Sequence, residues 1–259
     1  MISVLKNINT RKELLKYLVI SDLKLSYANK VLGYFWSLLD PLALMAVYAI
    51  LVSGIFNRGG PQFPVLVFSS ILAWQWFNFS LSKSVISLSS KAIIIQTISF
   101  PLAILPLSGV ITYLIRFLLG LLALIPMLFL YDATFTWNIL WYPCLLIIQL
   151  LFTTGICFIT AIAGVYFKDM TNIIQFLLRI WFYMSPILYS IEESVPKSYQ
   201  APLYILNPFA ALFTSYKAIL IRGTAPTLFI IISCFISIMI FLIGLYVFSK
   251  FEINIAKDL

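Results

Sequence analysis

The sequence predicts an all-α polytopic membrane protein. It has six transmembrane helices, an N-terminal amphipathic interfacial helix, and a re-entrant helical hairpin between the fifth and sixth spans. Three observations carry this. Of 259 residues, 62% are hydrophobic and 10% charged, a balance that a soluble domain of this length does not sustain. The apolar residues gather into runs near the roughly 20 residues a helix needs to cross a bilayer. The 17 Lys and Arg residues fall mainly between those runs. The net charge of +8 therefore follows the membrane and does not point to nucleic acid.

The chain is expected to form one transmembrane domain, 1–259. Residues 1–33 read as an interfacial helix and a loop. Leu14, Leu15, Leu18, Val19 and Leu23 share a face, with Arg11, Lys12, Lys16 and Lys24 around it, as on an anionic leaflet. No unbroken apolar core follows the charges, so this is not a signal peptide. The first span, 36–56, is expected to open at Asp40-Pro41, an acidic cap followed by a proline in the first turn. Tyr34 and Trp36 suit the interfacial aromatic belt. After a turn at 57–61 comes the second span, 63–88. Ser89–Pro101 is too short to cross and too apolar for a free loop, so it reads as a surface element that docks on something. The third span, 103–130, carries Arg116 at mid-depth. The turn 131–138 has no basic residue, and the fourth span, 139–167, ends in Lys168-Asp169. The fifth span, 172–190, carries Arg179 in its middle and Ser185-Pro186 near its end. A polar break follows, then the apolar run Pro208–Ile221. Runs of roughly 10–14 residues suit re-entrant segments, so 199–222 is expected to dip in and return, a short tilted span being the alternative. The last span is 227–249. With the N-terminus inside, the outer segments hold only Arg58, Lys197, Lys217 and Arg222, which puts both termini in the cytoplasm.

Candidate chemistry is sparse. Histidine is absent, which removes the commonest general base and metal ligand. The three cysteines lie inside apolar runs without metal-ligand spacing. No phosphate loop of the Gly-x-x-x-x-Gly-Lys-Ser/Thr type occurs. No catalytic residue or metal site is expected. An arginine at mid-bilayer costs roughly 2.5–3.5 kcal/mol on insertion scales, so Arg116 and Arg179 should face protein or water. Contact with an anionic substrate and structural pairing both fit, with Asp40 the nearest carboxylate. Trp181, Phe182 and Tyr183 beside Arg179 read as the lining of a sugar path, since ring faces of sugars pack on aromatic rings. Glu192-Glu193 reads as a solvated loop, because adjacent side chains point apart.

Several motifs stand in a characteristic order. They are Asp22-Leu23-Lys24-x-x-Tyr27, Leu32-Gly33-x-x-Trp36-x-x-x-x-Pro41, Phe167-Lys168-Asp169, Ser185-Pro186-Ile187-x-Tyr189 and Asn207-Pro208. This set resembles the permease subunits of polysaccharide-exporting ABC transporters across essentially the whole chain. Phe100-Pro101-Leu102-x-Ile104-x-Pro106 and Leu178-Arg179-Ile180-x-Phe182-Tyr183 are most similar to the wall teichoic acid permeases. Ser26 stands where the family often has a basic residue. The resemblance implies a homodimer in the bacterial cell membrane with two copies of a separate ATPase subunit. That partner, not this chain, would bind ATP and Mg. It assigns Lys91, Phe100, Pro101, Lys168 and Asp169 to the ATPase-facing side, and Asp22, Lys24, Tyr27 and Gly33 to the entrance loop. Tyr34, Trp36, Arg116, Arg179, Trp181, Phe182 and Tyr183 would border the substrate path. The substrate would be wall teichoic acid on undecaprenyl diphosphate, or alternatively an O-antigen or capsular polysaccharide. A membrane glycosyl- or acyltransferase is the rival class, weakened by the scattered carboxylates. An exporter of a drug or small lipid is a further alternative.

Overall fold

A computed structural model describes residues 10–28, 33–56, 60–98, 100–134 and 136–258, and the described residues contain no strand. The helices in chain order are α1 (Lys12–Tyr27), α2 (Trp36–Ala49), α3 (Phe63–Ile86), α4 (Ala92–Thr97), α5 (Ile104–Leu130) and α6 (Tyr142–Tyr166). They continue as α7 (Met170–Met184), α8 (Ile191–Ser194), α9 (Lys197–Leu206), α10 (Pro208–Lys217) and α11 (Ile230–Asp258). Two helices run on into π-helical turns, α2 through Ile50–Ile55 and α10 through Ala218–Arg222. Among the described residues five stretches are long and apolar enough to cross a membrane: Leu38–Ile55, Phe63–Ile86, Ile104–Leu130, Trp137–Tyr166 and Ile230–Glu252. The pair Lys197–Leu206 and Pro208–Arg222 is bent by 107°.

α3 is the central helix. Lys83 is its one charged residue and apolar side chains surround its axis, so it has no polar face to offer water. α2, α5, α6, α7 and α10 pack around it, and α6 lies along α11. Lipid tails are as apolar as leucine, so close backbone approach and interhelical hydrogen bonds must hold such a bundle. Both are present. A Cβ on Gly155 of α6 would lie 2.6 Å from the Ile240 carbonyl oxygen of α11. The Ser84 hydroxyl of α3 donates to the Cys157 carbonyl at 2.5 Å. Gln149 donates to the Ala73 carbonyl at 2.7 Å and accepts from the Tyr216 hydroxyl at 3.0 Å, tying α6, α3 and α10 together.

Long-range contacts define the two ends. At the upper end Gln62 donates to the Tyr131 carbonyl at 3.3 Å, and the Thr134 amide donates to the Ile221 carbonyl at 3.1 Å. At the lower end α4, the Lys168-Asp169 turn and Glu252 lie together around the ring pair Tyr166 and Phe251 and the cluster of Ile95, Leu102 and Phe248. α1 packs along α5 with Val19 buried and Arg11, Lys12, Lys16 and Lys24 exposed, so its apolar stripe faces the bundle.

Two expectations are corrected. The fifth span does not run to residue 190: α7 has 15 residues and ends at Met184, about 22 Å at 1.5 Å per residue. Ser185 is extended, with ψ 146°, because the ring of Pro186 excludes helical backbone at the residue before it. The first span does not open at Asp40-Pro41. α2 begins at Trp36 and holds Pro41 in its interior, since the apolar residues before Asp40 extend the helix upstream.

Candidate functional site

The bent pair α9–α10 is built on Asn207. Its side-chain oxygen caps α10 by accepting from the Phe209 amide at 3.1 Å, and also accepts from the Trp181 indole at 3.0 Å. Its side-chain nitrogen donates to the Ser185 hydroxyl at 3.0 Å and the Met184 carbonyl at 3.3 Å. Pro208 occupies the first helical position, where no amide proton is needed. One asparagine thus starts α10 and fastens it to the broken end of α7. Phe209 is fully buried, with ring centroids of Phe77, Phe152, Trp181 and Trp74 at 4.7, 5.2, 5.5 and 5.7 Å. Trp74, Phe77 and Phe152 lie in the middle of their helices, so the bend sits deep in the bundle.

The other end of α10 rises to the upper end. The Lys217 ammonium, 8% exposed, donates to the carbonyls of Pro186, Ile187 and Tyr189 at 2.6, 3.2 and 3.1 Å. Arg222 pairs with Glu192 at 2.9 Å and approaches Glu193 at 3.9 Å. The Gly223 carbonyl accepts from Thr136 at 2.6 Å and Asn138 at 2.8 Å. Glu192 precedes α9 and Arg222 ends α10, so both ends of the bent pair meet at the upper end.

The predicted path residues separate. Arg116 is half-buried on α5, its guanidinium 4.8 Å from the Tyr113 ring centroid. It lines a cavity of about 210 Å³ with Asp40, Gln75 and Trp76. Arg179, by contrast, is exposed on α7 beside exposed Gln175, Phe176 and Tyr183, and only Ile174 and Leu178 of that helix are buried. α7 sits at the edge of the bundle and presents Arg179 outward, away from this chain's own interior. Trp181 and Phe182 pack inward, Phe182 against Trp74 at 5.8 Å and Tyr48 at 6.0 Å. Trp36 is exposed. Gly33 has φ 45°. The side chains of Tyr27 and Tyr34 lie outside the described residues. Asp22 pairs with Lys83 at 2.5 Å, fixing α1 to α3, and Lys24 is exposed.

At the lower end Lys91, Lys168 and Asp169 are exposed, and Phe100 and Pro101 half-buried. α4 anchors through Ile95 and turns Ile93, Ile94 and Ile98 outward at 82%, 44% and 61% exposure. Glu252, which sequence reasoning did not single out, accepts from the Leu102 amide at 2.9 Å just before α5. That places a carboxylate at a helix N-terminus, where the helix dipole favours it. Lys217 was likewise counted only among the outer cations of the expected hairpin, with no role of its own.

Comparison with known proteins agrees with this architecture. Residues 13–221 match the ABC-2 type transporter family model. The chain is 32% identical over 226 residues to an O-antigen export system permease protein RfbA of Myxococcus xanthus, covering 87% of each chain. It is 29% identical over 248 residues to a protein of the same name from Klebsiella pneumoniae, covering 95% of each. A second Klebsiella pneumoniae protein of that name is 28% identical over 95% of each chain. On this footing, with the helices, the bent pair and the lower-end element in one chain, the protein belongs to the ABC-2 type transporter family.

Proposed function

We propose that this chain is the membrane-spanning permease of an ATP-driven exporter of a lipid-linked surface polysaccharide. The observation that carries this is the match of 87% to 95% of both chains to proteins named O-antigen export permeases. The chain shares nearly its whole length with them, not one motif. On this reading it sits in a bacterial plasma membrane with both termini cytoplasmic and the upper end outside. The bent pair α9–α10 is then a re-entrant hairpin on the outer half, and irregular backbone around Ser185–Tyr189 is tolerated because protein satisfies it. Two copies of an ATPase subunit, carrying ATP and Mg, bind the lower end at Ile93, Ile98, Lys91 and Lys168-Asp169. Two copies of this chain pair so that the exposed faces of α2 and α7, with Arg179 and Tyr183, border the polymer path. The chain itself performs no covalent chemistry.

The relatives' names favour an O-antigen-type polysaccharide on undecaprenyl diphosphate. Wall teichoic acid is the second reading, supported by the Phe100-Pro101-Leu102 and Leu178-Arg179-Ile180 stretches. Deleting the gene should trap polymer inside the cell, and composition analysis of that polymer separates a polyol-phosphate backbone from a sugar backbone. Affinity purification of the chain should recover an ATPase subunit. Polymer reaching the surface unchanged in the deletion strain would overturn the proposal.

A further inference from the structure

The start of α5 carries no cap of its own. Ala103, the residue before its first turn, has no side-chain oxygen, and Pro101 has no amide proton. Leu102 and Ala103 are 6% and 0% exposed, and a buried donor left unpaired costs about as much as a lost hydrogen bond. The group that answers comes from 150 residues away: the Glu252 carboxylate accepts from the Leu102 amide at 2.9 Å.

Glu252 belongs to a stripe on α11. Phe248, Phe251, Glu252 and Ile255 recur at the i, i+3, i+4 and i+7 spacing of one helical face. Phe248 and Ile255 are fully buried, in the cluster that also holds Ile95 of α4 and Leu102, Ala103 and Leu105 at the start of α5. Phe251 packs on Tyr166, just before the Lys168-Asp169 turn, with ring centroids 6.0 Å apart. Apolar burial is non-directional and lets such surfaces slip, whereas a charge-assisted hydrogen bond fixes distance and direction. Glu252 is thus the directional tie between α11 and the segment 98–103 that joins α4 to α5. α11 is continuous from Ile230 to Asp258, about 43 Å at 1.5 Å per residue, so a displacement of that segment reaches the length of the bundle.

We propose that Glu252 is a positioning residue for export: it ties the segment between α4 and α5 to α11, so that movement of α4 displaces α5 and α11 together. The inference rests on the exporter reading above and names the residue that couples the lower end to the spans. It acts through α5 and α11, not on the polymer. The test uses the full-length chain co-purified with its ATPase subunit and placed in liposomes for ATP hydrolysis. Surface polymer is measured in a gene-deletion strain carrying each variant at equal expression. A hydrogen bond to a charged group biases an equilibrium by about tenfold or more, so Glu252→Ala should lower the ratio of surface polymer to ATP hydrolysis about tenfold. Hydrolysis and recovery of the ATPase subunit should be kept, and hydrogen exchange at Leu102 should quicken. Glu252→Gln keeps an acceptor oxygen at the same reach and should restore most of the ratio and the slow exchange. An unchanged ratio in Glu252→Ala overturns this inference alone. A parallel fall of Tm, hydrolysis, subunit recovery and export in both variants also overturns it, because the residue would then serve stability only. Export that persists without the chain, or a wild-type chain that recovers no ATPase subunit, overturns the exporter reading and this inference with it.

Discussion

Lys217 brings a charge into a site that is 8% exposed, where an unpaired ammonium is not tolerated. Its three protons meet three carbonyl oxygens 28 to 31 residues away, on the unwound segment that follows α7. Arg222 and Glu192 at the same end are exposed, and such pairs contribute about 0–1 kcal/mol. Lys217 is therefore the stronger fastening between the hairpin and that segment. Lys217→Met keeps the aliphatic stem and removes the donors. Hydrogen bonds to charged groups are worth about 1.5–3 kcal/mol each and are not additive, and methionine escapes the desolvation cost, so the net loss should be about 1–3 kcal/mol. Hydrogen exchange should rise at residues 187–190 with the rest of the bundle unchanged; no local rise would refute the fastening role. None of this was legible from the sequence, where Lys217 counts only as an outer cation. Its acceptors are backbone carbonyls, which every residue has and no motif marks. Arg179 shows the converse. Its cost in lipid was readable, but the direction it faces depends on α7 lying at the edge of the bundle.

Element lengths were legible where apolar runs are continuous and end in polar residues, as for α3, α5 and α6; the last span, expected to end at 249, instead continues as α11 to Asp258 through the charged residues that follow. The end of α7 was misread because Ile187 and Leu188 continue the apolar composition past the break. Composition does not register backbone geometry, although Pro186 carried the signal. Pairing between helices was not legible, because it depends on which small residues meet. The α6–α11 crossing illustrates this. Gly155 and Gly244 face each other so closely that a Cβ on either would strike the other helix's backbone, at 2.6 Å from the Ile240 oxygen for Gly155. Gly155→Val must therefore separate the helices, and α11 would withdraw Glu252 from the start of α5 as it moved. Overpacking of this kind costs about 1–3 kcal/mol, more when backbone is the obstacle. Gly109→Ala is the contrasting variant, since its Cβ would meet the flexible Lys83 side chain at 3.4 Å. Thermal unfolding in detergent should show a clear fall in Tm for Gly155→Val and little change for Gly109→Ala. Equal effects would remove the crossing from the account of stability.

Across the whole molecule, exposed apolar surface is abundant, and the proposed membrane covers most of it. α4 is the exception that lipid does not explain. It is a six-residue helix at the lower end, beside the exposed Lys91 and Lys168-Asp169, with Ile93 and Ile98 turned outward while Ile95 holds it to the bundle. The sequence marked Ser89–Pro101 as an element that docks, because it is too apolar to be free; which isoleucines are buried against the bundle and which are exposed required the fold. Exposed apolar patches flanked by charge mark protein contacts. In the proposed assembly this patch receives the ATPase subunit, and α4, seated on the starts of α5 and the end of α11, passes its movement to two long helices. Ile93→Glu with Ile98→Glu replaces side chains that touch little of their own chain, so expression and Tm should stay close to wild type. Central apolar anchors of an interface commonly cost 2 kcal/mol or more when lost, about thirtyfold in affinity. The double variant should therefore lose the ATPase subunit in pulldowns and abolish export, whereas Ile95→Glu should unfold the lower end as well. Retention of the ATPase by the Ile93, Ile98 variant would move the docking surface elsewhere on the lower end.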